Sequence, residues 1–235
     1  MAGLKTTENS KEKIVEVCCT WRKDSDCKNC LNKSVLDCKW KRENLMRFFL
    51  ITIPVFLFLI AFLVLAGIAI GAWWWFGVII GYFALFFIIE TRILCSHCPY
   101  YSENSIILHC LANQGFIKFY DYHPEPMNKL EKALLVIGFI LFALVPLGAE
   151  LYYIIIISLN RGSYSQSLFV SLIMLISATL IAIIFFFTFL VTQICTKCIN
   201  FSCPFNSVQK KYVDEYLNKN PIMKQAWLEC GYKMN

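Results

Sequence analysis

The chain has 235 residues, of which 58% are hydrophobic and only 16% are charged. Soluble domains carry fewer apolar and more charged residues, so this composition excludes an ordinary soluble fold and predicts an integral membrane protein in contact with the lipid bilayer. The net charge of +6 is modest. Its lysines and arginines form no basic stripe suited to nucleic acid, so we expect no nucleic-acid partner.

The polar N-terminal region, residues 1–43, contains five cysteines and no apolar core of the kind found in a secretory signal. It offers too little apolar surface to fold without a metal or disulfides. A thiolate set typical of a zinc site or an iron-sulfur centre is formed by Cys19, Cys27, Cys30 and Cys38. Cys18 could replace Cys19 in this set. The alternative is that these residues are ordinary reduced cysteines in a tail.

An almost unbroken apolar run follows this region. As a single helix it would measure about 63 Å, whereas the bilayer core is about 30 Å thick. We therefore predict two membrane helices, over residues 45–70 and 73–94, with the break near 67–75, where glycines and tryptophans lie. Glu90 and Arg92 are interpreted first as a pair at the membrane boundary and second as a site.

A second pair of membrane helices is predicted over residues 133–159 and 168–194, joined by a short turn that contains Arg161. Glu150 falls inside the third helix. An ionisable residue at membrane depth is a functional hypothesis by default. The alternative, which we favour slightly, is a carboxyl near the far interface that reaches toward Arg161.

Each pair of helices is followed by a Cys-x-x-Cys motif and a third cysteine. This pattern predicts an all-α membrane protein with four transmembrane helices, arranged as two repeated helical hairpins behind a small Cys-rich region. The units would be residues 1–43, 44–131 and 132–235. The repeated thiols are Cys95, Cys98 and Cys110 in the first hairpin unit and Cys195, Cys198 and Cys203 in the second.

Two further segments carry structural signals. The connection over residues 95–132 is too long for an idle loop, and its aromatic group, which includes Phe116 and Phe119, is expected to lie along the membrane surface. The tail after Cys203 has the apolar spacing of an amphipathic helix. A second short helix is expected to start at Pro221, capped by Asn220.

All of the 22 Lys and Arg residues except Arg161 lie at or beyond the helix ends on one side. The positive-inside rule assigns that side to the cytoplasm, so both termini and all twelve cysteines are predicted to be cytoplasmic. Disulfides rarely persist in that compartment. We therefore expect the cysteines to serve metal binding or redox chemistry.

Two repeated units packed about an axis along the membrane normal would bring the two Cys-x-x-Cys pairs together as a tetrathiolate for zinc, a single iron or a cluster. Cys110 and Cys203 could instead complete two separate sites or supply extra ligands.

The favoured function is a membrane-embedded iron-sulfur protein that passes electrons to a quinone or a partner protein. One alternative is a scaffold or regulatory protein with structural zinc sites. Another is a thiol-disulfide oxidoreductase, in which His97 or Lys197 would stabilise a thiolate.

Overall fold

The structure is a computed structural model that describes residues 18–23, 25, 27 and 29–234. Four of its helices, two of them extended by π-helical turns, are long and apolar enough to cross a membrane, as predicted. No strand occurs among the described residues, which contain one isolated antiparallel bridge, between Ile107 and Ile117. The helices are α1 (Arg42–Ile70), α2 (Trp74–Glu90) with its π turn (Thr91–Cys95), α3 (Lys129–Leu159), α4 (Gln166–Phe189) with its π turn (Leu190–Ile194), α5 (Lys210–Asn218) and α6 (Pro221–Glu229).

Helices α1 and α3 begin about a turn earlier than predicted, because polar residues extend their first turns. At the start of α3, Asn128 and Glu131 form a capping box. The Glu131 N–H donates to Asn128 Oδ1, and the Asn128 N–H donates to Glu131 Oε2, both at 2.9 Å. This satisfies backbone donors that have no partner inside the helix.

The predicted break between the first two helices lies at Gly71, whose φ of 76° ends α1 in the left-handed conformation that favours glycine. The indole of Trp73 then folds back onto α1. A Cβ atom at Gly67 would lie 3.0 Å from that ring, so this close approach requires glycine. The Tyr153 hydroxyl donates to the carbonyl of Ala72 and ties the turn to α3.

The order of packing in the bundle differs from the order in the chain. Helix α1 packs most extensively on α4, α4 packs on α3, and α3 packs on α2. Helices α1 and α2 make no extensive contact, although a short turn joins them. The two helices meet through their side chains, because the ring of Phe56 on α1 lies 5.1 Å from the ring of Phe83 on α2.

A second apolar core lies beyond the end of the bundle that carries the cysteines, which we call the cysteine end. The N-terminal region, the long connection and the tail all contribute to this core. Its buried members include Leu36, Tyr100, Leu108, Ile199, Tyr216, Leu217, Met223 and Trp227. The described part of the N-terminal region therefore packs on both the segment that follows α2 and the segment that follows α4.

Hydrogen bonds fix the N-terminal region in this position. The Asp37 N–H donates to the carbonyl of Lys197 at 2.9 Å, and the Tyr100 hydroxyl donates to the carbonyl of Asp37. Asn220 precedes α6 as predicted, but its side chain does not cap that helix. It accepts a 2.7 Å hydrogen bond from the N–H of Cys19 instead, because the N-terminal region covers this end of the tail.

Candidate functional site

The six cysteines that follow α2 and α4 line a single cavity of about 610 Å³, which we call the thiol cavity. Phenylalanines from all four membrane helices form much of its wall. The cavity extends from the cysteine end into the apolar bundle. Its sulfur-bearing residues are Cys95, Cys98, Cys110, Cys195, Cys198 and Cys203.

The π turns place the first cysteine of each pair. In the first turn, the Ser96 N–H donates to the carbonyl of Thr91 at 3.1 Å. In the second, the Cys195 N–H donates to the carbonyl of Leu190 at 2.8 Å. A π turn widens the helix by one residue per turn and is frequent at functional sites. Both cysteines line the thiol cavity.

Asn113 is the main polar anchor in the first half of the cavity. Its amide nitrogen donates to Glu90 Oε2 at 3.0 Å and to the sulfur of Cys95 at 3.1 Å. Its backbone N–H donates to the sulfur of Cys110 at 2.9 Å. Asn113 was not among the predicted site residues, because no spacing rule singles out one asparagine in a long connection.

Asn200 joins the two halves of the site. Its amide nitrogen donates to the carbonyl of Leu94 at 2.8 Å, and its backbone N–H lies 3.4 Å from the sulfur of Cys198. Asn200 itself is buried and lines the cavity. The segment after α4 is thereby held against the end of α2.

The predicted boundary pair of Glu90 and Arg92 is wrong. Glu90 is buried in the cavity, whereas Arg92 donates to Ser96 Oγ at 3.4 Å and lies over the ring of Tyr120. Residues two apart on a helix do not face each other. Glu90 is therefore a cavity residue.

Burial keeps the cavity thiols protonated. It raises the pKa of Cys110, Cys195 and Cys203 to about 12 and also raises the pKa of Cys98 and Cys198. Neighbouring sulfurs contribute, since ionised Cys198 would repel ionised Cys98 and Cys203. A bound cation would offset both effects.

His97 does not take the role of thiolate partner that the oxidoreductase hypothesis gave it. Its Nδ1 donates to the carbonyl of Glu125 at 2.7 Å, and its Nε2 lies 3.5 Å from Glu131 Oε2. The imidazole therefore ties the long connection to the start of α3.

The four cysteines of the predicted N-terminal set share one neighbourhood. Burial raises the pKa of Cys38 to about 12, and the nearby sulfurs of Cys19, Cys30 and Cys27 raise it further. The ammonium of Lys39 donates to the carbonyl of Cys19 at 3.0 Å. These contacts gather the segment around Cys38.

Cys18 and Cys19 have different environments. The sulfur of Cys19 accepts a 3.3 Å hydrogen bond from the Asn220 amide and belongs to the N-terminal set. The buried sulfur of Cys18 lies 3.4 Å from the Tyr122 hydroxyl. Geometry therefore favours Cys19, not Cys18, as the fourth member.

In the part of the chain that the structure describes, no group of three or more His, Cys, Asp or Glu side chains has the arrangement of a metal site. A tetrahedral zinc ion holds its sulfurs about 3.8 Å apart, because each Zn–S bond is about 2.3 Å long. The described thiols line one cavity but do not form a tetrahedral set of this kind.

Glu150 lies deep between α3 and α4. It is fully buried, and its Oε1 accepts a 2.8 Å hydrogen bond from the hydroxyl of Thr179. The predicted reach of this carboxyl toward water near Arg161 is wrong, because Glu150 is fully buried and bonds to Thr179. Arg161 donates to Gln166 Oε1 instead.

Comparison with known proteins identifies no relative. No protein-family model, curated protein or solved structure matches this chain. The chemistry of the thiol cavity is therefore the basis for assigning a function.

Proposed function

We propose that this protein is a membrane electron-transfer component whose cysteines hold an iron-sulfur centre at the cytoplasmic boundary. The observation that carries the proposal is the gathering of six cysteines on one cavity that extends into an apolar bundle. Cysteine thiolates are the usual ligands of such clusters, and burial helps to set their reduction potential. The acceptor would be a quinone or a partner protein.

The number of thiols on one cavity is the feature that supports a cluster. A cluster places several metal and sulfide ions between its ligands, so it suits thiols that line a cavity. Six thiols exceed the four that a cluster usually takes, so two would remain as neighbours or ligands of a second centre.

The proposal includes the internal duplication and its orientation. Both α2 and α4 end in a π turn, and a Cys-x-x-Cys segment begins at the last residue of the first turn and directly after the second, which supports two units related by an axis along the membrane normal. The distribution of Lys and Arg supports a cytoplasmic location for both termini.

Structural zinc is the second candidate, and the N-terminal set favours it. Cys19, Cys27, Cys30 and Cys38 lie in a segment whose contacts hold the tail in place, as in the bond between Cys19 and Asn220. Zinc there would stabilise the fold of this region. A scaffold or regulatory role would need no electron acceptor.

Thiol-disulfide exchange has less support. A reactive cysteine needs a lowered thiol pKa, whereas burial raises the pKa of Cys98 and Cys198. His97 faces oxygen atoms of Glu125 and Glu131.

The test is metal and sulfide analysis with a visible spectrum, on the full chain purified without oxygen in detergent. We expect iron with acid-labile sulfide, and loss of both when Cys98 and Cys198 are changed to serine together. Cys230→Ser is the matched control, because Cys230 is exposed. A colourless protein that contains zinc and no iron would overturn the proposal in favour of the structural role.

A further inference from the structure

We propose that the thiol cavity binds a lipid-soluble quinone, which enters from the bilayer between α1 and α2. This inference rests on the proposed function, because the thiolate centre would be the redox partner of the quinone. Four features of the cavity suit such a ligand: an opening toward lipid, a polar inner end, an aromatic wall and an apolar lip.

The opening is bordered by an exposed face of α1. Ile53, Leu57 and Ile60 line the cavity and are each at least half exposed. The same helical face continues outside the cavity through Ile68, which is strongly exposed. The backbones of α1 and α2 lie apart, and although the rings of Phe56 and Phe83 meet between them at 5.1 Å, the exposed residues of the cavity wall join it to the lipid-facing surface in one apolar path.

The polar residues of the wall lie mainly at the inner end. Apart from Thr52, the wall nearest the opening consists of aliphatic and aromatic side chains, whereas Glu90, Asn113 and Asn200 lie with the thiols at the cysteine end and expose only a small polar surface to the cavity. A ligand of matching form has an apolar tail and a small polar head. The volume of about 610 Å³ lies within the usual range for ligand sites.

The wall favours a flat conjugated head over the head group of a phospholipid. Phenyl rings accept a planar ring by stacking or edge contacts. A charged phosphate would lose its hydration there without a compensating cation, at a high cost. A quinone head is planar and uncharged and carries two carbonyl acceptors. The rings belong to Phe48, Phe56, Phe86, Phe87, Phe139, Phe142 and Phe186.

An apolar lip borders the opening. The ring of Phe116 lines the cavity and lies 5.6 Å from the ring of Phe87 on α2. Phe116 belongs to a hairpin-like segment closed by the Ile107–Ile117 bridge, and the side chains of Ile106 and Phe119 on this segment are exposed. Such residues suit the membrane surface, so the lip extends the path into the lipid phase.

In the redox step, one quinone takes up two electrons and two protons to become a quinol, and both of its carbonyl oxygens become hydroxyls. The cavity thiols would hold the iron-sulfur centre that supplies the electrons one at a time, and a soluble one-electron donor would reduce that centre again. The protons come from water at the cytoplasmic boundary, where the inner end of the cavity lies. The reverse direction releases the same electrons and protons.

The experiment uses an azido-substituted benzoquinone with a decyl tail as a photolabel, on the full chain in lipid vesicles. Labelled peptides are identified by mass spectrometry. We expect labelling of residues 48–60 or 86–98, competed by unlabelled decylbenzoquinone but not by decylbenzene. Ile53→Trp should fill the opening and reduce the labelling about tenfold. Leu57→Trp is a second blocking variant. Leu50→Trp is the matched control, because Leu50 is exposed on the same helix and does not line the cavity.

Absence of labelling, competition by decylbenzene, or equal labelling in Ile53→Trp and Leu50→Trp would overturn the quinone site. Metal analysis of the same vesicles separates this inference from the proposed function. Iron and sulfide without specific labelling would reject the quinone site alone. Specific labelling of iron-free protein would support the site and reject the iron-sulfur function.

Discussion

The amide of Asn113 donates a 3.0 Å hydrogen bond to the carboxylate of Glu90. Glu90 is the last residue of α2, whereas Asn113 lies in the long connection between α2 and α3. The same amide also donates to the sulfur of Cys95. One side chain therefore holds a carboxyl from a membrane helix and a thiol at the inner end of the cavity.

Asn113→Ala should destabilise this end of the bundle. It leaves the buried Glu90 carboxyl and the Cys95 sulfur without their amide donor, which costs about 1–3 kcal/mol. Thermal unfolding in detergent measures the loss, and metal content should fall in parallel. Asn104→Ala is the control, because Asn104 is exposed in the same connection. Equal melting temperatures for the two variants would contradict the anchoring role.

Metal affinity of the N-terminal set should rise with pH. The pKa of Cys38 is raised to about 12, so the thiol is protonated at neutral pH and the metal must displace its proton. Each displaced proton increases the apparent affinity about tenfold per pH unit. Zinc competition against a chelator, at several pH values between about 6.5 and 8.5, measures this slope.

Cys38→Ser should lower that slope by about one displaced proton. Cys230→Ser should leave it unchanged, because Cys230 is exposed and outside the set. If the pH slope of metal affinity is the same in the wild type, Cys38→Ser and Cys230→Ser, Cys38 does not bind the metal.

Gly67→Ala should destabilise the turn between α1 and α2. The new methyl group would lie 3.0 Å from the Trp73 indole, and such overpacking costs about 1–3 kcal/mol. Unfolding in detergent compares it with Gly77→Ala, where an added Cβ has no neighbour within 4 Å. The prediction fails if both variants unfold at the wild-type temperature.

Thr179→Val should destabilise the contact between α3 and α4. It removes the hydroxyl that donates to Glu150, and interhelical hydrogen bonds of this kind contribute about 0.6–1.7 kcal/mol. Glu150→Gln should be milder, because its amide oxygen can still accept the bond. Thr192→Val is the control, since the Thr192 hydroxyl bonds only to the backbone of its own helix among the described contacts. An equal effect of Thr179→Val and Thr192→Val would be inconsistent with the role of Thr179.

The pattern of hydropathy was sufficient to predict the four membrane helices and the break at Gly71. The reason is that a bilayer requires long apolar segments with internally satisfied backbones. It also placed each Cys-x-x-Cys pair directly after a helix. The two pairs line one cavity in the structure, while their metal and its redox role remain predictions.

Lateral packing was decided only in the tertiary structure. Lipid is as apolar as leucine, so the face of a membrane helix that contacts protein need not be more hydrophobic than the face that contacts lipid. Hydropathy therefore contained no sign that α1 packs more extensively on α4 than on α2, its neighbour in the chain. The burial of Glu150 against Thr179 and the anchoring of Glu90 by Asn113 depend on that same packing, because each joins residues far apart in the chain.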